Sequence, residues 1–267
     1  AIGAGREKLS AKPTNSKINE ETHTVKTSKK FHLALCILAL MGTSAQAEEI
    51  QVFAAGASKV AIELLAPAFT KMSGDTLVVT SDTVGALRDR IRQGERPDLA
   101  VLSQVAIETL VTQGHVQTGQ TQPVGVVSAG LAVKRGAPVP DISTVEALKV
   151  ALLQAKSVAH ADGARGATSG AHFAKMIDQL GLRETMQSKL VILPFGVEVI
   201  EGVAAGKFEL GASQSSEIVP HQTVTYVGDL PAPFALRTPY TAGVVNNSSK
   251  GARLLKFLAT PAGLDAF

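Results

Sequence analysis

Three turns rich in small and hydroxyl residues stand out in this sequence, and each follows a short apolar run. Small side chains let a ligand approach backbone N–H groups, and a helix that begins there adds the positive end of its dipole, so such turns favour an anion. Helix capping and tight turn geometry account for any one of them, but three in one chain favour an anion site. The candidate ligand-binding residues are Ala55, Gly56, Ala57 and Ser58 in the first turn, Thr83, Val84 and Gly85 in the second, and Arg165, Thr168 and Ser169 in the third.

A further group of polar residues follows the apolar run at 210–213. Gln214 and Ser216 could donate hydrogen bonds to a ligand, while Glu217 could orient Arg165 or His172. The same residues suit a helix N-terminus, where a serine caps the first turn and the dipole favours an acidic side chain. The pattern leaves both interpretations open.

Other kinds of chemistry lack their motifs in this chain. There is no GxxxxGK[ST] loop and no GxGxxG with an acidic partner, so we expect neither a nucleotide nor any other cofactor. The His residues after residue 47 lack metal-ligand spacing and the chain has one Cys, so we predict no metal site. No GxSxG elbow marks a nucleophilic serine. Two Tyr and no Trp leave little surface for stacking, which argues against nucleic acid.

The first 47 residues are predicted to be a leader that does not belong to the fold. Lys29 and Lys30 precede the apolar run 31–41, and Ala45-Gln46-Ala47 has the small-x-small pattern of a cleavage site. The run is shorter than the ~20 residues that span a bilayer. We therefore expect a secretory signal peptide cleaved after Ala47 and a periplasmic product, with residues 1–25 as an upstream segment.

The positive charge of the chain resides in this leader. The whole chain carries a net charge of +3, with 26 Lys and Arg against 23 Asp and Glu. Residues 1–47 contain seven of the basic and three of the acidic residues, so 19 basic and 20 acidic residues remain in 48–267. Cys36 also lies in the leader. A nucleic-acid partner is therefore not expected.

The elements that must position the candidate residues alternate regularly from residue 48 onward. Short apolar strands followed by amphipathic helices predict an α/β fold with mostly parallel sheets, in which ligands bind at the carboxyl ends of the strands. Two extended stretches, 122–133 and 223–237, interrupt the alternation; they fit either crossings between two lobes or long loops of one sheet. Strands are predicted at 50–54, 76–81, 99–102, 157–161, 190–193 and 210–213.

The predicted helices follow these strands. In the first helix a spacing of four predicts an inner face of Val60, Leu64, Ala68 and Met72, and Pro67 should bend it. The helices are expected to end near residues 72, 94, 113, 155, 180 and 259.

Four segments resemble periplasmic molybdate-binding proteins, the type II class of solute-binding proteins that serve ABC importers. The resemblance runs in order through the chain after the leader. It implies a two-lobed α/β fold with two crossing hinge strands, a small anion held in the cleft, and ABC-importer membrane subunits as partners; we expect a monomer. Lobe 1 would comprise 48–128 plus 229–267, and lobe 2 129–228. The segments are 50–55, 93–99, 157–181 and 254–261.

Departures from the molybdate binders concern the ligand. Where those proteins have a serine in the first turn, this chain has Ala57, and their second-turn serine falls at Val84 or Gly85. Their tyrosine after the last strand of lobe 2 corresponds to Gln214. The small first turn and the Gln-x-Ser-Glu segment at 214–217 are more similar to a divergent branch of the family that includes aconitate isomerase. The chain is thus expected to bind a molybdate-like oxyanion or an organic carboxylate for an importer. The alternative is an aconitate isomerase-like enzyme that moves a proton within a tricarboxylate, and such a reaction requires a base. The candidates for that base are Glu217, His172 and Asp82.

Overall fold

The computed structural model describes residues 47–267, so the predicted leader lies outside the described residues except for Ala47. Within this range, every helix is too short or too polar to cross a membrane. The strands are β1 (Glu49–Ala55), β2 (Thr76–Asp82), β3 (Leu99–Ser103), β4 (Val116–Lys134), β5 (Val158–Ala161), β6 (Leu190–Leu193), β7 (Leu210–Gln214), β8 (Val224–Asp229) and β9 (Arg237–Val245). The helices are α1 (Gly56–Ser73), α2 (Val84–Arg92), α3 (Gln104–Thr112), α4 (Val145–Gln154), α5 (Thr168–Gln179), α6 (Arg183–Met186), α7 (Gly196–Ala204), α8 (Ser215–Ile218), α9 (Ser249–Leu258) and α10 (Pro261–Leu264).

Two sets of parallel strands lie at opposite ends of one mixed sheet. The strand order is β2-β1-β3-β9-β4-β7-β5-β6, and β8 also pairs with β4. β1 is parallel to β2 and β3, and β5 is parallel to β6 and β7, whereas β4 and β9 are antiparallel to their neighbours. Helices connect the parallel strands, as such connections require. The predicted α/β class is confirmed.

The long strand β4 joins two separate hydrophobic cores. Up to Ser128 it pairs with β9, and from Ala129 it pairs with β7 and β8. One core is built by β1, β3, β9 and the helices α1, α2, α3 and α9. The other buried clusters come from residues 129–230. We call the elements around the first core, with β4 up to Ser128, the first lobe, and those around the other clusters the second lobe.

The segment between β8 and β9 belongs to the second core. Leu230 is buried there, and Phe234 and Leu236 pack against the same cluster. The second crossing between the lobes is therefore made where β9 begins, at Arg237. The residue boundaries predicted from the sequence for the two lobes stay a prediction.

The buried face of α1 differs from the predicted one. Its buried residues include Ser58, Ile62, Leu65 and Phe69, whereas Leu64 is 69% and Met72 is 60% exposed. A strict spacing of four drifts around a helix of 3.6 residues per turn, so mixed spacings of three and four mark the true inner face. Pro67 lies inside α1, as predicted.

Candidate functional site

A cavity of about 480 Å³ lies between the lobes at the carboxyl ends of the parallel strands. Its volume is in the range of ligand sites, ~300–1,000 Å³. Turns from β1, β2, β5 and β6 meet here because the carboxyl ends of parallel strands lie at one edge of a sheet. Ten of the residues predicted from the sequence line the cavity: Ala55, Gly56, Ala57, Asp82, Thr83, Val84, Thr168, Ser169, Gln214 and Glu217.

Four helices of nine residues or more begin at the cavity wall, two in each lobe. They are α1 and α2 of the first lobe and α5 and α7 of the second. Among the described residues, no side chain caps α1, α5 or α7, whose N-cap residues are Ala55, Ala167 and Phe195. The first N–H groups of a helix lack intrahelical partners and carry partial positive charge. The cavity therefore offers donors to an anion from both lobes.

Gln214 supplies a buried amide to the same cavity. The residue ends β7 and is 4% exposed. Its Oε1 is buried and has no hydrogen-bond partner within the described residues. Because an unsatisfied buried polar atom costs about 1–3 kcal/mol, this amide is set to interact with a ligand. The Gln214 side chain carries both an acceptor oxygen and a donor nitrogen, so it can accept from or donate to a ligand.

Glu217 places a carboxyl in the cavity, and this group is enclosed although the residue as a whole is half-buried. Oε2 accepts a hydrogen bond from the hydroxyl of Ser213. A β-carbon built on Gly56 would lie 2.5 Å from Oε1, and one built on Gly196 would lie 2.2 Å from Oε2. The carboxyl thus fills the space beside two glycines, the first residues of α1 and α7, and side chains at either position would displace it.

The surroundings of Glu217 keep its carboxyl protonated to higher pH than usual. Burial raises the pKa of Glu217, and the hydrogen bonds from the Ser213 hydroxyl and from the backbone N–H of Gln214 oppose the rise. Tyr240 of β9 is 3% exposed and lines the cavity. Burial, with a smaller contribution from the charge of Glu217, raises the pKa of Tyr240, so its phenol stays a neutral donor. A carboxyl whose pKa is raised towards neutrality suits general acid–base work.

Ser58 and His172 make contacts away from the cavity. The Ser58 hydroxyl donates to the carbonyl oxygens of Ala55 and Val101 at 2.9 and 3.1 Å, so it connects β1 and β3. The His172 Nε2 lies 2.8 Å from the carbonyl oxygen of Phe234 and ties α5 to the segment before β9. Neither side chain lines the cavity, and the roles that the sequence predicts for Ser58 and His172 stay predictions.

Two hydrogen bonds, from Gly85 and Thr83 to the turn at 165–166, connect the lobes directly, and we call them the latch. The Gly85 amide donates to the Gly166 carbonyl oxygen at 3.2 Å. The Thr83 hydroxyl donates to the Arg165 carbonyl oxygen and accepts from the Ala86 amide at 3.1 Å. Thr83 and Gly85, for which the sequence predicts ligand binding, therefore connect the two lobes, and Thr83 also lines the cavity.

Arg165 does not line the cavity but lies next to two residues of its wall, Asp82 and Phe195. Its guanidinium is 5.2 Å from the centre of the Phe195 ring, a cation–π distance. Its Nη2 is 3.8 Å from Asp82 Oδ1 in the other lobe, and Asp82 Oδ1 also accepts from the Thr83 amide at 2.7 Å. Ser216 lines a second, smaller hollow, where its buried hydroxyl oxygen has no partner within the described residues.

Sequence reasoning missed several residues of the wall. They include Lys59, Phe195, Gly196, His221 and Tyr240. Phe195 and Gly196 form a fourth strand-to-helix turn after the predicted strand 190–193, and the rule applied to the other three turns could have found it. Tyr240 gave no local signal, because it enters the cavity only through the antiparallel pairing of β9 with β3 and β4.

Charged side chains at the cavity nearly balance. Lys59 shares the wall with Glu63, Asp82 and Glu217, and Arg165 lies near Asp82. Between residues 47 and 267, no group of three or more His, Cys, Asp or Glu could hold a metal ion. The groups at the cavity that suit an anion are therefore chiefly the backbone N–H groups of the uncapped helices α1, α5 and α7 and the side-chain amide of Gln214.

A family model and one known relative match most of the chain. The family model described as bacterial extracellular solute-binding protein matches residues 50–267. Aconitate isomerase from Pseudomonas sp is 30% identical over 241 residues, which is 85% of this chain and 90% of that protein.

Solved structures of anion-binding transport proteins share the fold. The periplasmic molybdate-binding protein of Azotobacter vinelandii has a TM-score of 0.66 at 17% identity, covering 81% of this chain and 96% of that chain. The tungstate ABC transporter protein from Geobacter sulfurreducens has a TM-score of 0.60 at 13% identity, covering 82% and 97%. At these identities the likeness concerns the two-lobed fold alone.

Proposed function

The chain belongs to the family of bacterial extracellular solute-binding proteins, and on this premise we propose that it is an exported isomerase of the aconitate isomerase type. Its cleft would hold a tricarboxylate, and Glu217 would move a proton within it. The observation that carries the proposal is the enclosed carboxyl of Glu217 in a cavity bounded by four helix N-termini. The identity of 30% to aconitate isomerase supports it.

The shape and chemistry of the cavity favour an organic polycarboxylate over an oxyanion. About 480 Å³ far exceeds what one tetrahedral oxyanion occupies. The uncapped helix starts lie in different lobes, so separate carboxylates of one ligand can each meet backbone donors. Between these ends the wall is apolar at Ala57, Val84 and Phe195, which suits a carbon skeleton.

The proposed reaction is a proton shift across three carbons. Ionised Glu217 takes a proton from the methylene carbon of the substrate, and the electron pair of that C–H bond forms a new C=C bond to the central carbon. The former double bond opens, and its outer carbon takes the proton back from Glu217. The carboxyl ends as it began, so the step needs no oxidant, reductant or cofactor. The helix N-termini and the Tyr240 hydroxyl would stabilise the negative charge that builds up on the substrate carboxylates.

The test is conversion of cis- to trans-aconitate by the purified protein, followed by proton NMR. Glu217→Gln keeps the size of the side chain but removes the base, so we expect conversion to stop while cis-aconitate still raises the melting temperature. A ligand at a hundredfold excess over its Kd stabilises a protein by about 2.7 kcal/mol. Absence of conversion by the wild-type protein, or undiminished conversion by the variant, would refute the proposal.

A second candidate is a binding protein that delivers the same kind of anion to an ABC importer. The family match and the fold shared with molybdate- and tungstate-binding proteins favour it. Closure of two lobes around a ligand would then serve transport, with β4 and β9 as the hinge. Tight binding of one anion without any turnover would identify this function, and titration with molybdate, tungstate, citrate and both aconitates would name the ligand.

Location and domain organisation are part of the proposal. We propose that the leader is cleaved after Ala47 and that the protein acts in the periplasm, as the family description supports. The two lobes would divide at Ser128 and Ala129 of β4, where the pairing partner changes.

A further inference from the structure

We infer that Ser213 is a positioning residue that holds Oε2 of Glu217, so that Oε1 alone takes the proton in the proposed isomerisation. The inference rests on the proposed function for the reaction, but the arrangement of the two side chains can be tested without it. Ser213 was not among the residues that the sequence singled out.

The strand-to-helix turn places the two side chains together. Ser213 lies in β7 and is 0% exposed, and α8 begins two residues later. The chain thereby folds back, and Glu217 meets the hydroxyl four residues earlier. A buried hydroxyl needs an acceptor, and here the carboxyl of Glu217 provides it.

The two oxygens of Glu217 have different neighbours. Oε2 is enclosed within the second lobe, since a β-carbon on Gly196 would lie 2.2 Å from it and 2.5 Å from Ser213 Oγ. Oε1 points towards the other lobe, where a β-carbon on Gly56 would lie 2.5 Å away. In the proposed function the ligand binds between the lobes, so Oε1 is the oxygen of Glu217 that can contact it.

The Ser213 hydrogen bond also sets how readily Glu217 loses its proton. A donated hydrogen bond stabilises the ionised carboxyl, so loss of the hydroxyl must raise the pKa further. The titratable groups that share the cavity are Lys59, Glu63, Asp82, His221 and Tyr240. They remain in place when Ser213 is changed, so a shift in the titration of Glu217 reports on Ser213.

The decisive experiment compares Ser213→Ala with a matched control. Ser215→Ala removes a hydroxyl two residues away, which accepts from the Ser128 amide at 3.2 Å. Protein labelled with ¹³C at the glutamate carboxyl is titrated by NMR, and the Glu217 signal is assigned by its loss in Glu217→Gln. We expect the Glu217 midpoint to move to higher pH in Ser213→Ala and to stay at the wild-type value in Ser215→Ala.

Kinetics provide the second measurement. In Ser213→Ala, the acid limb of the pH profile of kcat/KM should shift to higher pH by the same amount as the NMR midpoint of Glu217. If Ser213 had a purely structural role, its loss would lower kcat/KM without shifting the acid limb. Gly56→Ala should lower kcat by on the order of a hundredfold, the effect of a misplacement of about 1 Å, with a smaller change in KM. A folded Ser213→Ala variant with an unmoved Glu217 midpoint would overturn the inference. Absence of aconitate turnover would instead refute the proposed function and leave the NMR result to decide on Ser213.

Discussion

Replacing Gly85 by Ala should open the latch between the lobes. A β-carbon at this position would lie 2.7 Å from the Cα atom of Gly166 and 3.5 Å from the Arg165 carbonyl oxygen. Both are backbone atoms, so the conflict cannot be relieved by a side-chain rotation. The turn at 165–166 must move away, and the hydrogen bonds from Gly85 and Thr83 must lengthen with it.

The size of the effect follows from those two hydrogen bonds. Each contributes about 1 kcal/mol to the closed form, so their loss costs about 2 kcal/mol. Only the closed form encloses the ligand, so the affinity falls by the same factor as the population of the closed form. A free-energy change of about 1.4 kcal/mol corresponds to a tenfold change in that population. The expected loss is therefore at most about thirtyfold.

Two measurements test this reasoning. Small-angle X-ray scattering of the ligand-free protein should give a larger radius of gyration for Gly85→Ala than for the wild type. Calorimetric titration with cis-aconitate should show the weaker affinity. Thr83→Ser keeps the hydroxyl and should match the wild type in both. An unchanged radius together with an unchanged affinity in Gly85→Ala would show that the latch does not control closure.

Three further predictions concern single side chains. Because burial raises the pKa of Glu217, the folded protein binds this proton more tightly than the unfolded chain does. The stabilising contribution of Glu217 is therefore complete below its ordinary pKa of 4.5 and is lost as pH rises through the raised pKa. Glu217→Gln should melt like the wild type near pH 4 and at a higher temperature near pH 8, and a difference in melting temperature that does not depend on pH would contradict this. Ala167→Asp should place a carboxylate at the start of α5, where it caps the helix and raises the free energy of unfolding in urea by about 1 kcal/mol. The same carboxylate occupies the backbone donors and repels an anion, so anion binding should be abolished. The uncharged control Ala167→Asn should also stabilise the protein but retain more binding. His172→Ala should lower the free energy of unfolding by about 1 kcal/mol, because the contact with the Phe234 carbonyl oxygen is lost, and should leave ligand affinity unchanged. A large loss of affinity would show that His172 takes part in ligand binding.

The regular part of the fold could be predicted because its signals are local. The continuously apolar run 99–102 predicts a strand buried on both faces, and each residue of β3 is buried. The inner face of α1 could not be derived from one spacing, because the elements that the helix packs on decide which of several overlapping stripes is buried. Phe69, for example, is buried against Phe257 of α9, far away in sequence, with ring centres 5.4 Å apart.

The sequence alone was enough to give the class of fold, and it also predicts the kind of ligand. Strand and helix periodicities are short-range, and so is the use of small residues where strands lead into helices. The α/β alternation and the prediction of an anion site at the turns therefore follow from neighbours in the chain. The tertiary structure decided which polar groups remain available to a ligand. Ser58 and Thr83 have the same chemistry as free donors, yet non-local carbonyl groups occupy their hydroxyls. Glu217 became the principal candidate only because Gly56 and Gly196, each distant in the chain, leave room for its carboxyl between two helix starts.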